Sequence, residues 1–149
     1  CKANFINTIL PGQMAKDGSF PLELERTKPY GYSLFNLDAM TINAWVLSDS
    51  FQCFWNYDIN GRSLLKAVEF MAPFVAKKND WPHEPDVMYW NEWPVAHPTF
   101  LFSAIIYNRL DFYELWANNR HFPKTFEIKR NMAIKSPLIW LYKKENCAN

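Results

Sequence analysis

Arg26 and Tyr32 stand six residues apart in a segment that Pro29 and Gly31 keep from being regular. A loop of that kind can bring both side chains to one point. Their chemistries are complementary. Arg offers a planar fork of donors that matches a carboxylate. Tyr, with a usual pKa of about 10, serves as general acid or base once a neighbouring cation lowers it. A reaction that needs both is β-elimination beside a carboxylate. In a uronic acid polymer the proton at C5 is removed, a C4–C5 double bond forms and the oxygen at C4 is expelled. The carboxylate must be neutralised, a base must take the proton, and an acid must protonate the departing oxygen. Each residue also has a blander use: Arg26 pairs with Glu23 or Glu25, and Tyr32 is an ordinary aromatic at a helix start.

Other reactive residue types form weaker patterns. The three histidines, His83, His97 and His121, show no i, i+4 metal spacing, and no cysteine stands near enough to complete a zinc site. No metal or cofactor is expected. His83, within Trp81-Pro82-His83-Glu84-Pro85-Asp86, is a candidate substrate contact; His97 reads as structural and His121 as solvated. The pairs Glu84/Asp86 and Glu23/Glu25 raise the alternative of a glycoside hydrolase, but i, i+2 spacing does not set the carboxylate separation that hydrolysis requires. No phosphate-cradling glycine loop occurs.

The bulk composition narrows the partners. Sixteen Lys and Arg balance fifteen Asp and Glu, and basic residues cluster only in pairs such as Lys77-Lys78. That leaves no footprint for nucleic acid. No apolar run reaches the ~20 residues of a bilayer span. Aromatics make up 17% of the chain, enough to fill a core and still leave rings for packing against sugar C–H faces. Cys1, Cys53 and Cys147 allow one disulfide plus a free thiol, or a bridge to a segment outside the chain.

The elements that must position these residues read as helices. Apolar spacing predicts helices over 3–10, stopped by Pro11-Gly12, over 32–47 and over 63–75, the last capped by Ser63 and ended or kinked by Pro73. Further helices are expected over 98–109, 111–118 and 125–133. Asn60-Gly61, a hairpin-type pair, falls in a polar loop between helical patterns rather than between alternating strands. The connections 17–29, 48–62 and 77–98 are long and rich in proline. The last holds Trp81, Tyr89, Trp90 and Trp93, which either plug gaps between helices or serve a site.

Several motifs in register sharpen the picture. Gln13, Asp17-Gly18, Pro21, Glu23-Leu24 and Arg26-Thr27, followed by Tyr32-Ser33-Leu34-Phe35-Asn36-Leu37, resemble the core motif of the alginate lyase domain family. Trp55-Asn56-Tyr57, Gly61-Arg62-Ser63-Leu64, Pro73 and Trp81-Pro82-His83 resemble the stretches that follow it, in the same order. The likeness covers roughly Gln13 to His83, about half of the chain.

The resemblance implies an all-α fold, part of an incomplete (α/α) toroid with long loops on one face. It implies a secreted polysaccharide lyase acting on alginate or a related polyuronate. Tyr32 would protonate the leaving oxygen and take the C5 proton, with Arg26 assisting. Gln13, Glu23, Lys28, Tyr30, Trp81 and His83 are the expected substrate contacts, with Glu23 also able to hold Arg26. Two departures stand out. The histidine that commonly precedes the motif tyrosine is Gly31 here. The family's upstream Asn-His pair has no counterpart among the twelve residues before Gln13. Residues 1–149 are therefore expected to form the C-terminal portion of a catalytic domain, whose N-terminal portion is a partner. The alternative is a lyase-like glycan-binding protein without activity, or an interaction module.

Overall fold

The computed structural model describes residues 1–141, which form an all-α body. The chain begins with α1 (Lys2–Asn4), a π-helical turn (Phe5–Ile9) and α2 (Leu10–Gln13), run together as one helical stretch. The expected stop at Pro11-Gly12 does not occur there. Pro11 falls at the second residue of α2, directly after the π turn. The π turn brings the Leu10 amide to the Phe5 carbonyl.

After the short α3 (Pro21–Leu24) comes the longest helix, α4 (Pro29–Leu47). Tyr30, Leu34, Leu37, Met40 and Ala44 repeat at three- and four-residue steps and are all buried. α4 packs against α3, α5, α6 and α8, so it is the axis of the core. It starts three residues earlier than the apolar spacing indicates, because Pro29 is suited to a first helical position.

Asn60 and Gly61 both have positive φ and close a tiny hairpin of β1 (Asp58–Ile59) and β2 (Arg62–Ser63). Asp58 faces Ser63 and Ile59 faces Arg62. This corrects the reading of that pair as a plain loop. Strands of two residues are too short to show alternation. α5 (Leu64–Ala76) follows, with Ser63 accepting the Lys66 amide at 3.4 Å as its cap. Leu64, Val68, Met71 and Val75 form the expected buried stripe, and Pro73 is carried inside the helix, which runs on to Ala76. The remaining helices are α6 (Pro98–Tyr107), α7 (Leu110–Ala117), α8 (Phe126–Asn131) and α9 (Pro137–Trp140). α6 ends at Asn108, whose left-handed backbone turns the chain toward α7.

Two buried carboxylates from distant parts of the chain fix where the main helices begin. Asp38, inside α4, accepts the Thr99 amide at 3.1 Å in the first turn of α6 and lies 2.7 Å from Nδ1 of His97. Asp86 accepts the Tyr30 amide at 2.9 Å and the Gly31 amide at 3.0 Å in the first turn of α4, and the Trp93 indole N–H at 3.0 Å. Helix N-termini carry unpaired N–H groups and partial positive charge, which a carboxylate satisfies. Burial pushes the Asp86 carboxyl up, and the hydrogen bonds from Gly31, Tyr30 and Trp93 act against that rise.

Gly31 is required by this arrangement. A Cβ there would stand 2.7 Å from Oδ2 of Asp86 and 2.9 Å from Cζ2 of Trp93. Both neighbours are pinned to each other and to α4, so neither can yield. The glycine before Tyr32 is thus matched to a carboxylate and an indole filling its side-chain space. Gly31→Ala is expected to lower stability by about 1–3 kcal/mol, the usual result of overpacking; an unchanged denaturant midpoint would contradict this.

Candidate active site

The residues expected to act together do meet. Arg26 lies just beyond α3 and Tyr32 in the first turns of α4, and the Asp86 cap sets the start of that helix. The Arg26 guanidinium carbon sits 3.7 Å from the centre of the Tyr32 ring. Its Nη1 donates to Oε2 of Glu23 at 2.8 Å, one turn back. Glu23 therefore orients Arg26 while the cation lies on the phenol ring. Arg26 is exposed and Tyr32 half-buried, so both are open to a ligand.

Behind this pair runs a polar chain that the sequence reading did not single out. Asn36 stands one turn after Tyr32 on α4, and its Nδ2 donates to Oε1 of Gln13 at 2.6 Å and to Oε1 of Glu23 at 3.4 Å. Gln13, Asn36, Glu23, Arg26 and Tyr32 form one connected set drawn from α2, α3, the turn after it and α4. Asn36 belonged to the motif string, and its i, i+4 relation to Tyr32 was the signal that places it on the same helix face.

Lys28 adds a second cation. Its Nζ is 5.9 Å from the centre of the Tyr32 ring and 5.2 Å from that of Tyr89. Glu127 of α8 holds it at 2.9 Å, and Lys28 in turn keeps the Glu127 carboxyl below the usual range. Tyr89 comes from the loop between α5 and α6, with left-handed backbone.

Other candidates fall elsewhere. Tyr30 is fully buried, donates its hydroxyl to the Phe74 carbonyl at 3.1 Å, and packs edge-on against Trp81 and Trp90. Burial pushes its phenol above the usual value. Trp81 is buried among Tyr30, Phe70 and Phe74 and donates to the Glu84 carbonyl. Both are core residues, which corrects their assignment as substrate contacts. Aromatics in a loop look alike in sequence whether they face inward or outward. His83 is exposed beside Trp81, ring centres 5.0 Å apart. Among the described residues no contact joins His83 to Tyr32. His97 is the buried partner of Asp38. Asp86 faces into α4, so Glu84 and Asp86 do not form an open carboxylate pair.

Among the described residues no group of three His, Cys, Asp or Glu could hold a metal ion, and no helix is long and apolar enough to cross a membrane.

The alginate lyase family model matches residues 1–81, a stretch that includes Gln13, Glu23, Arg26, Tyr32, Asn36 and Trp81. A crystal structure of an alginate lyase from Bacteroides ovatus superposes with a TM-score of 0.58 at 27% identity, over 76% of this chain and 30% of that one. The chain therefore spans under a third of that lyase's length. No curated protein matches the sequence. The helical content and this superposition make the fold a toroid-like, all-α one. With more than half of its residues inside the family match, this chain belongs to the alginate lyase family.

Proposed function

We propose that this chain carries the acid–base part of a polysaccharide lyase that breaks a uronic acid polymer by β-elimination. The observation that supports this best is the Arg26 guanidinium held by Glu23 on the face of Tyr32. In the proposed reaction Tyr32 takes the proton from C5, the electron pair forms the C4–C5 double bond, and the C4–O bond breaks. The departing oxygen takes a proton from the phenol. Arg26 and Lys28 stand beside the reacting phenol, where fixed positive charge is close to the negative charge that develops on the substrate as C5 is deprotonated, and this favours the transition state. Gln13 holds Asn36, which reaches Glu23 and so helps keep Arg26 in line; His83 is an outlying substrate contact.

The match to under a third of the Bacteroides ovatus lyase supports a further part of the proposal. An N-terminal portion of the same enzyme completes the toroid and brings the group that neutralises the substrate carboxylate. The disulfide at Cys53 fits a secreted protein, because such bonds persist in oxidising compartments.

The test is ultraviolet absorbance of the conjugated unsaturated uronate during incubation with alginate, polymannuronate and glucuronan in turn. A rise supports elimination and names the polymer. No rise on any polymer, with binding retained, supports instead a lyase-like protein that holds acidic glycans without cleaving them. Arg26→Ala is expected to lower kcat/KM by roughly a hundredfold, the scale of losing one oriented charge donor. Arg26→Lys should restore little of it, since an ammonium keeps the charge but not the planar fork that Glu23 orients.

A further inference from the structure

A second cationic surface lies across α8 from Lys28. A cleft of about 590 Å³ is lined by His121, Phe122, Lys124, Lys129, Lys135 and Ser136, together with Pro123 and Met132. Among the described residues its lining includes no carboxylate. Its three lysines are exposed, and none of them makes an ion pair among the described residues. Several other cations on the surface are paired. Lys2, Arg26, Lys28, Lys77, Arg109, Arg120 and Arg130 each face an acidic partner. The larger cleft beside α5 and α7, about 690 Å³, carries Glu69, Asp111 and Glu114 and has its cations occupied: Arg109 by Glu69 and Asp111, and Lys78 by the Trp90 and Trp93 carbonyls.

One aromatic completes the lysine cleft. Phe122 is 90% exposed, a large apolar face left in water beside unpaired positive charge. A pyranose ring carrying a carboxylate satisfies both, its C–H face on the ring and its charge on an ammonium. Lysines are flexible point charges, suited to successive carboxylates along a chain rather than to a single bidentate contact.

The position of the cleft ties it to the candidate active site. On α8, Glu127 reaches Lys28 beside Tyr32, while Lys129, two residues on and so on the other side of the helix, lines the cleft. The two sites are separated by about one helix diameter, roughly 10 Å. We infer that this cleft is a remote subsite for the same acidic polysaccharide, holding the carboxylates of sugar units that extend past Tyr32. The inference rests on the lyase reading for the identity of the polymer. The site would favour long chains over short ones by anchoring a stretch that takes no part in the chemistry.

The test is calorimetric titration of size-fractionated oligomannuronate, long enough to cross α8, into protein carrying Tyr32→Phe so that nothing is consumed. Replacing Lys124, Lys129 and Lys135 together by Gln should weaken binding about tenfold. Replacing the same three by Arg should restore it, and also serves if the Gln variant fails to fold. The effect should shrink as salt is raised, since exposed charges are screened. Equal affinity of the Gln variant and its parent would overturn the inference, as would single-stranded DNA competing as well as the uronate. Lysine-dependent binding in a protein whose unmutated form eliminates no polymer would sink the catalytic reading and leave the subsite standing. Elimination with lysine-independent binding would do the reverse.

Discussion

A Tyr32→Phe variant is expected to lose turnover by about 10²–10⁴-fold, the range attributed to a positioned acid–base group, while its fold and polymer binding persist. The substitution removes one oxygen and leaves the ring on which Arg26 rests. The stacking that orders the segment after α3 therefore survives, as do the Glu23 and Asn36 hydrogen bonds, none of which uses the Tyr32 hydroxyl. Loss of rate without loss of binding would place the phenol in the chemical step. Near-full activity of Tyr32→Phe would show that the proton is moved by another group, and Arg26 would then be left with a binding role. The unsaturated-product assay on the parent and the variant, together with a titration of the uncleaved polymer, separates these outcomes.

Asp38→Ala should be the most damaging substitution for stability. The carboxylate is fully buried and serves two partners, the His97 imidazole and the Thr99 amide. Truncation strands both in an apolar surrounding and leaves a void between α4 and α6. Removing one member of a buried polar pair costs about 3–5 kcal/mol, which for a domain of this size lowers Tm by on the order of 10 °C. Asp38→Asn keeps the shape and one acceptor oxygen and should lose less. A thermal melt of Asp38→Ala that matches the parent would show that the α4–α6 contact does not depend on this carboxylate. Asp38 touches no candidate active-site residue, so the folded fraction of either variant should keep its rate at low temperature.

The long helices were legible because their apolar residues recur at helical spacing over ten residues or more; the buried stripes of α4 and α5 are those the spacing predicts. The meeting of Arg26 and Tyr32 was legible because both lie in one short segment, with Pro29 between them. What escaped notice acts over distance. Asp38 and Asp86 look like surface carboxylates in the sequence, and their partners lie 59 and 56 residues away for His97 and Tyr30 respectively. No local pattern announces such a contact. Tyr30 and Trp81 failed for the opposite reason, since an aromatic beside polar and proline residues has the same local surroundings whether it fills a core or faces a sugar.

The Asp86 cap has a consequence for how the site comes into being. The helix that bears Tyr32 is closed at its start by a residue made 56 positions later, so a growing chain holds Arg26 and Tyr32 long before it holds the group that fixes the first turn of α4. Local contacts form early and distant ones late. The first turn of α4 is therefore fixed only when the segment carrying Asp86 and Trp93 folds back. Local opening of that segment would loosen the first turn of α4 without unfolding the helix.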